Sequence, residues 1–318
     1  MDIRFYTLDF SDVRILPATS KENGYISMNS TIEFCGTGTF ELVFYDKELE
    51  EFVEQHPEGL IITWGDFQGY FTDYQFQKEQ NWVFGSHINS LLHKFVIPPQ
   101  SISGDLKTVA SEIITQYTPF IFIDSTEDFG TVEYTSDKYQ SADAFFIDLL
   151  PKQKIGYRLF AKSGVIYFEL LRAVTNPLML SNGNRNVYEV QKDFSNKNVA
   201  YGGWYKKTKE DDGTELETEE WIYISTAEKE GIYKQDVVLN ASTPSEAVSE
   251  LAAKAIEYNI DCKTRNIEYG VDYSLGDIVR YQDKAMTVYK QISSVSLWLE
   301  GSTYHQEPTL TEWEGTDV

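Results

Sequence analysis

Tyr273-Ser274-Leu275-Gly276-Asp277-Ile278-Val279 lies near the end of a stretch, Glu230 to Trp298, whose order of elements decides the fold. The stretch reads as turn, strand, helix, polar strand, this heptapeptide and a final β-hairpin. Its helix is the best-marked element. Thr243-Pro244-Ser245-Glu246 joins a capping threonine, a proline at the first helical position and a glutamate that can bond back to the cap. Val248, Leu251, Ala252, Ala255 and Ile256 then form one apolar stripe, so a capped helix is expected over 244–259. Asp277 to Tyr281 is expected to pair with Met286 to Ile292, and Val295 to Leu299 follows. No catalytic group repeats along the stretch, which reads as architecture.

Outward from it, 185–318 is β-rich. Val187–Val190, Asn198–Tyr205, Trp221–Ser225 and Tyr233–Leu239 are expected strands. Lys209 to Glu220 is a charged hairpin tip or flexible loop. Residues 1–98 read as all-β with one short helix. In Thr39 to Tyr45, Phe40, Leu42 and Phe44 fall on one face and Val43 and Tyr45 on the other. Asp46 caps a helix carrying Leu49, Phe52 and Val53. Leu60–Trp64, Gly69–Phe76, Asn81–Phe84 and Ile88–Val96 are short runs between turns, the pattern of a small barrel or sandwich. Pro98-Pro99 closes the segment.

Between these regions the pattern changes to a small α/β insertion. Asp105 opens a helix with Leu106, Val109, Ala110, Ile113, Ile114 and Tyr117, stopped by Pro119. Ser141 opens another with Ala144, Phe145, Ile147, Leu149 and Leu150, stopped by Pro151. Gly156–Ala161 and Val165–Leu171 flank a hairpin turn at Lys162-Ser163-Gly164. The expectation is a mainly β chain with an α+β insertion: a first β-barrel over 1–98 completed by strands from about 185–205, an inserted α/β domain over 99–184, and a second β-barrel over 206–318. Leu60–Phe84 and Asp277–Gly301 share an order of elements, Trp298 standing near the place of Trp82, as two copies of one barrel would.

Composition fits this picture. At 318 residues the chain suits two or three domains. Its 21 Tyr, 19 Phe and 6 Trp favour pleated surfaces, and 42% hydrophobic content argues against disorder. The formal net charge of −23 would repel a phosphate backbone and an anionic membrane surface. That acidity keeps a large protein from self-associating; a sharper reading is that an acidic lining lets DNA pass without sticking. Cys35 and Cys262 are too few and too far apart for a disulfide framework and read as buried small residues. Met1-Asp2-Ile3-Arg4-Phe5-Tyr6 lacks a signal-peptide pattern, and runs such as Phe120–Ile123 are far short of a membrane span, so synthesis and folding in a cytosol are expected.

Candidate chemistry is sparse. Cys35-Gly36-Thr37-Gly38 precedes a strand rather than a helix, so it reads as a turn and not as a dinucleotide loop. His56, His87, His93 and His305 show no metal-ligand spacing. Asp211, Asp212, Glu215, Glu217, Glu219 and Glu220 resemble a calcium loop in composition only. Asp124, Glu127, Asp128 and Glu133 show no paired acid and base. No nucleophile elbow occurs. No catalytic, cofactor-binding or metal residue is assigned, and an enzyme is not expected.

Three features resemble the hub proteins of bacteriophage tails and phage-like contractile particles. They are the strand Asn198 to Trp204 after the polar turn Phe194–Lys197, the turn Lys229-Glu230-Gly231-Ile232-Tyr233 ahead of the capped helix, and Leu275-Gly276-Asp277-Ile278-Val279 before the last hairpin. The ending Glu307-Pro308-Thr309 is similar to the short tail after that hairpin. The chain resembles the gp27-like hub group and the Gp37-like siphophage family, although the arginine often found in the second motif is absent. The resemblance implies two tail-tube-like barrels with an α/β domain between them, and a homotrimeric ring that adapts a sixfold tail tube to a threefold tip. It implies a distal tail or tail tube protein, a tape measure protein and tip spike or receptor-binding proteins as partners. DNA would pass through without specific binding, and there would be no membrane insertion. The expected location is the virion tail tip or baseplate, or a phage-like particle, after synthesis in a bacterial cytoplasm. A carbohydrate- or receptor-binding module is the second reading, and it predicts exposed aromatics clustered in a groove. A tail-associated lytic enzyme is the third.

Overall fold

The computed structural model describes residues 2–17, 24–77, 80–150, 154–195, 199–209, 218–226, 235–252, 254, 257–283, 286–300 and 303–313. They divide into two compact units, residues 1–189 with 263–318, and residues 190–262.

The larger unit begins with β1 (Ile3–Tyr6), β2 (Val13–Leu16), β3 (Tyr25–Glu33), β4 (Thr39–Phe44), α1 (Lys47–Glu54), β5 (Leu60–Trp64), β6 (Phe67–Phe76) and β7 (Asn81–His87). A 3-10 helix (Ile88–Lys94) leads to β8 (Val96–Ile97), β9 (Gln100–Asp105), α2 (Leu106–Tyr117), β10 (Ile121–Phe122) and β11 (Thr131–Ser136). Then come β12 (Gln140–Ser141), α3 (Ala142–Leu149), β13 (Ile155–Lys162), β14 (Val165–Arg172) and β15 (Thr175–Leu180). β16 (Val187–Ser195) carries the chain into β17 (Gly202–Lys209), β18 (Thr218–Ser225), β19 (Asp236–Val238) and α4 (Pro244–Ala252). β20 (Glu257–Thr264) pairs with β16, and β21 (Ile278–Asp283), β22 (Met286–Glu300) and β23 (Thr303–Glu312) complete the chain.

Among the described residues, eleven strands form one sheet in the order β15-β21-β22-β3-β4-β7-β6-β5-β1-β2, with β23 also paired to β22. β22 is a fork. Its first half pairs with β21 and Ser294–Trp298 pair with β3 on the same side, while β23 runs along the opposite edge with a register shift between Ile292 and Ser294. Strand alternation then sorts the side chains. Phe40, Leu42 and Phe44 of β4 are buried as expected; Val43 is buried too, and Tyr45 is exposed. Phe40 meets Phe67 and Phe71 edge to face, and Phe71 meets Phe5, with ring centroids 5.5, 6.2 and 5.9 Å apart. Each such pair adds about 0.5–1.5 kcal/mol beyond area burial.

The sheet curls far enough for Trp64 on β5 to pack on Tyr304 of β23, centroids 5.3 Å apart. No ladder closes it. The chain is mainly β with helices, but the expected pair of barrels is corrected to one forked, open sheet, with no closed barrel among the described residues. The strands that join those of 1–98 come from 278–312 and not from 185–205. The reason is register: β22 sets Val295 against Ile32 and Leu297 against Ser30, all buried, while β16 and β17 pair elsewhere. The proposed repeat does not hold either. Met286–Glu300 is one strand, so Trp298 lies in the second strand of its run and Trp82 in the third.

The α/β segment forms where its caps predict. Asp105 accepts the Thr108 N–H at 2.8 Å, and Leu106, Val109, Ala110, Ile113 and Ile114 are buried. In α3 the stripe is Ala142, Phe145, Phe146 and Leu149, while Ile147 is 40% exposed. Ser163 and Gly164, at φ of 52° and 78°, make the two-residue turn between β13 and β14. This core includes Ile61 and Tyr70 from β5 and β6, so the layer shares its floor with the large sheet and lies in the same unit.

Side chains stitch the layer to that sheet. β13 is the edge of a three-stranded sheet, β10-β14-β13. Its Tyr157 N–H donates to the Phe34 carbonyl at 3.2 Å, its Leu159 N–H to Asn89 Oδ1 at 2.6 Å and its Ala161 N–H to Gln68 Oε1 at 2.6 Å. Gln68 Nε2 returns a bond to the Ala161 carbonyl at 3.1 Å, and Asn89 Nδ2 donates to the Gly36 carbonyl at 2.8 Å. Asn89 and Gln68 thus satisfy a buried strand edge that would otherwise strand its donors.

In the smaller unit β18-β17-β19 form a sheet whose one face packs Tyr205, Ile222, Ile224, Val237 and Leu239 with Ala247 and Leu251 of α4. The capping box forms: the Glu246 N–H donates to Thr243 Oγ1 at 3.3 Å and the Thr243 N–H to Glu246 Oε2 at 3.2 Å. The helix ends at Ala252, short of the expected 259, and Val248 is 53% exposed. From Glu257 the chain is strand because β16 supplies a partner, a case of pairing overriding local periodicity. Ala255 and Ile256 and the hairpin tip 210–217 lie outside the described residues, but Lys209 pairs with Thr218 at its base.

Candidate assembly surface

The face of the large sheet opposite the phenylalanine core is built from the alternate residues of β22, β3, β4, β7 and β6. Register aligns Trp298, Asn29, Glu41, Phe84 and Asp73 in one row across it. Ser294 pairs with Glu33, Ser296 with Thr31, Thr39 with Ser86, and Trp82 with Gln75 in the flanking rows. None of these is lysine or arginine; the charged ones are Glu33, Glu41 and Asp73. A shallow groove of about 510 Å³ runs between Asn29, Thr31, Thr39, Glu41, Phe84 and Trp298. His305 stacks on Trp298 with centroids 5.3 Å apart. The surface is hydroxyl-rich, acidic and patched with aromatic rings. It can repel a polyanion and offers little to hold one. Reading residues one strand at a time missed it, because the row exists only once the five registers are known.

A second concavity of the same unit, about 710 Å³, is lined by Asp66, Gln68, His87, Arg158, Glu268, Tyr269 and Ser274 among others. It is the place to look for chemistry. Arg158 is engaged by Glu169, Nε to Oε2 at 2.7 Å. His87 is buried, and its Nδ1 accepts the Asn89 N–H at 3.3 Å. Burial pushes the His87 imidazolium down to about 4, against the Asn89 hydrogen bond and with help from the Arg158 charge. A neutral ring facing a committed guanidinium is a packing arrangement, and the bond described for the ring comes from the backbone.

The shift has a measurable consequence. From pH 6.5 down to about 4 the unfolded chain gains a proton that the folded chain refuses. Stability is therefore expected to fall through that window by about 3 kcal/mol and to level off below it. His87→Asn, whose short amide can still accept the N–H two residues on, should remove this part of the slope. Denaturant midpoints of both proteins across the window check it; parallel pH profiles would refute the assignment.

The other candidates are scattered. His56 pairs with Glu58 at 3.1 Å and His93 with Asp143 at 3.2 Å. Asp124 pairs with Lys107 at 3.0 Å, and Asp128 Oδ1 accepts the Gly130 N–H at 2.8 Å. Glu133 lies on β11 opposite Ser103 of β9. Asp211, Asp212, Glu215 and Glu217 fall outside the described residues. Among the described residues no group of three or more histidine, cysteine or carboxylate side chains is placed to hold a metal. Cys35 and Cys262 are half-buried and free of a disulfide; burial, reinforced by Glu33, pushes the Cys35 thiol up to about 12. No described helix is long and apolar enough to cross a membrane.

No protein-family model and no curated protein matches the chain. Solved structures do. The 43 kDa tail protein of prophage MuSo2 from Shewanella oneidensis aligns over 98% of this chain and 98% of its own, at 12% identity and a TM-score of 0.56. The chain has the fold of phage tail proteins. A tail protein from Neisseria meningitidis MC58 aligns over 99% and 98% of the two chains, at 9% identity and a TM-score of 0.56. The prophage tail protein gp18 from Listeria monocytogenes EGD-e covers 100% of this chain and 96% of its own, at 12% identity and a TM-score of 0.53. The likeness spans both units, so the α/β layer and the smaller unit belong to the shared architecture.

Proposed function

We propose that the chain is a structural hub at the tip or baseplate of a phage or phage-like tail, three copies closing a ring whose lumen passes DNA. What supports this reading is the end-to-end correspondence of the fold with tail proteins. In such a ring three chains would meet a sixfold tube on one side and a threefold tip on the other. The acid-and-hydroxyl face suits the lumen, where a phosphate backbone should slide and not stall. A tube protein, a tape measure protein and a spike or receptor-binding protein are the partners this position calls for. No catalytic role is assigned.

Native mass of the purified chain, with symmetry-free image classes, tests the reading. A three-chain species with Glu33, Glu41 and Asp73 on the inner wall is expected. A single-chain mass at every concentration, alone and with the neighbouring tail proteins, would overturn the ring; a wall lined by lysine and arginine would overturn the channel.

A further inference from the structure

The smaller unit has a sheet face that its own helix does not cover. Pairing of Trp204 with Tyr223 and Val238, and of Lys206 with Trp221, sets these side chains next to one another, with Asp236 beside them. Trp204, Trp221, Tyr223 and Val238 are 44, 47, 37 and 71% exposed. The rings of Trp204 and Tyr223 lie 5.0 Å apart, the Lys206 ammonium stands 5.3 Å from the Trp221 ring centre, and the Tyr223 hydroxyl donates to Asp236 at 3.0 Å. Lys206 and Asp236, themselves exposed, thus lie against an otherwise aromatic and aliphatic surface.

Its size and charge point to an occupant. From the area of large aromatic side chains, these four residues expose on the order of 400 Å². That is as large as the biggest patch a monomer usually shows and about half of one side of a standard interface, some 800 Å². One lysine and one aspartate cancel here, in a chain of net charge −23. Copies so acidic repel each other, and the repulsion is least where the touching surface is neutral. We infer that this face is buried against a sister copy when the ring closes. Threefold closure makes the contact head-to-tail, the aromatic face of each copy meeting a different surface of the next. The inference rests on the ring reading.

The test uses the full chain. Trp204→Ser with Trp221→Ser should weaken assembly about a thousandfold, because two tryptophans at the centre of a contact are worth about 2 kcal/mol or more each and 1.4 kcal/mol is tenfold. Native mass at the concentration where the unaltered chain forms trimers should then show single chains with unchanged circular dichroism. In parallel, Val238→Cys should lose its maleimide reactivity, read at the labelled peptide, in the trimer and regain it on dissociation. A trimer that survives the double substitution, or whose residue 238 is labelled at the dissociated rate, overturns this contact and leaves the ring intact. Retention of a soluble cell-wall polysaccharide by the trimer, lost in the double variant with no change of mass, would assign the face to a glycan and overturn the contact as well. A single-chain mass for the unaltered protein at every concentration, alone and with the neighbouring tail proteins, overturns the ring itself, and the contact with it.

Discussion

Replacing Gly276 with alanine is expected to destabilise the larger unit by roughly 2–5 kcal/mol, the sum of two independent costs. The first is conformational. Gly276 sits at φ +88°, where an L-residue pays about 1–2 kcal/mol. The second is steric. A Cβ there would lie 2.1 Å from Phe34 Cε2 and 2.5 Å from its Cδ2. Phe34 has little room to yield. Its ring is buried, its N–H donates to the Ser293 carbonyl at 2.8 Å, and its carbonyl accepts the Tyr157 N–H at 3.2 Å. On another side stands Gly156, where an added Cβ would meet the Phe34 oxygen at 2.1 Å and the ring at 2.7 Å. Two glycines therefore hold one aromatic ring where the fork in the large sheet meets β13. Urea unfolding should show a lower midpoint at an unchanged slope. Phe34→Ala in the Gly276→Ala background should cost much less than the two changes summed. A loss below about 0.5 kcal/mol, the range of an ordinary surface change, would refute the clamp.

Asn89→Ala is the other large effect, expected at about 3–4 kcal/mol because two buried backbone groups lose their partners at about 1–3 kcal/mol each. The Leu159 N–H loses its acceptor and the Gly36 carbonyl its donor, and Asn89 is fully buried. Asn89→Asp makes a sharper control. It keeps the acceptor for Leu159 but buries a carboxylate against the Gly36 oxygen. It should be worse than alanine at neutral pH and should recover as the pH falls, since protonation restores a donor. Hydrogen exchange at the Leu159 amide provides the local readout: fast exchange is expected in Asn89→Ala, and protection equal to that of the unaltered chain would end this account.

Legibility in the sequence tracks the range of the interaction. Asp46, Asp105 and Thr243 with Glu246 were readable as caps because each bonds to an amide about one turn away. The Ser163-Gly164 turn was readable because its conformation demands those residue types. The partner of β3 was not. Val187–Val190 and Val295–Leu299 both look like strands, and nothing local says which will meet Ile32 in register. The end of α4 failed for the same reason, since Glu257–Thr264 is drawn into a ladder by β16. Asn89 and Gln68 were silent as well: their strand partners lie 70 and 93 residues away, and a polar residue in a short 3-10 helix or at the start of an interior strand carries no mark of such a role. The candidate surface is a product of register, so it could be found only after the strands were ordered.

The fork at β22 also sets a timetable for making the protein. Ser30 on β3 bonds to Leu297, 267 residues later in the chain. At roughly 5–20 residues per second, the free side of β3 waits on the order of tens of seconds between its own emergence from the ribosome and that of its mate. Throughout that interval a β-branched and aromatic ribbon stands open to any passing nascent chain. Yield during expression should therefore depend on ribosome spacing and on chaperone supply more than on the equilibrium stability of the finished fold.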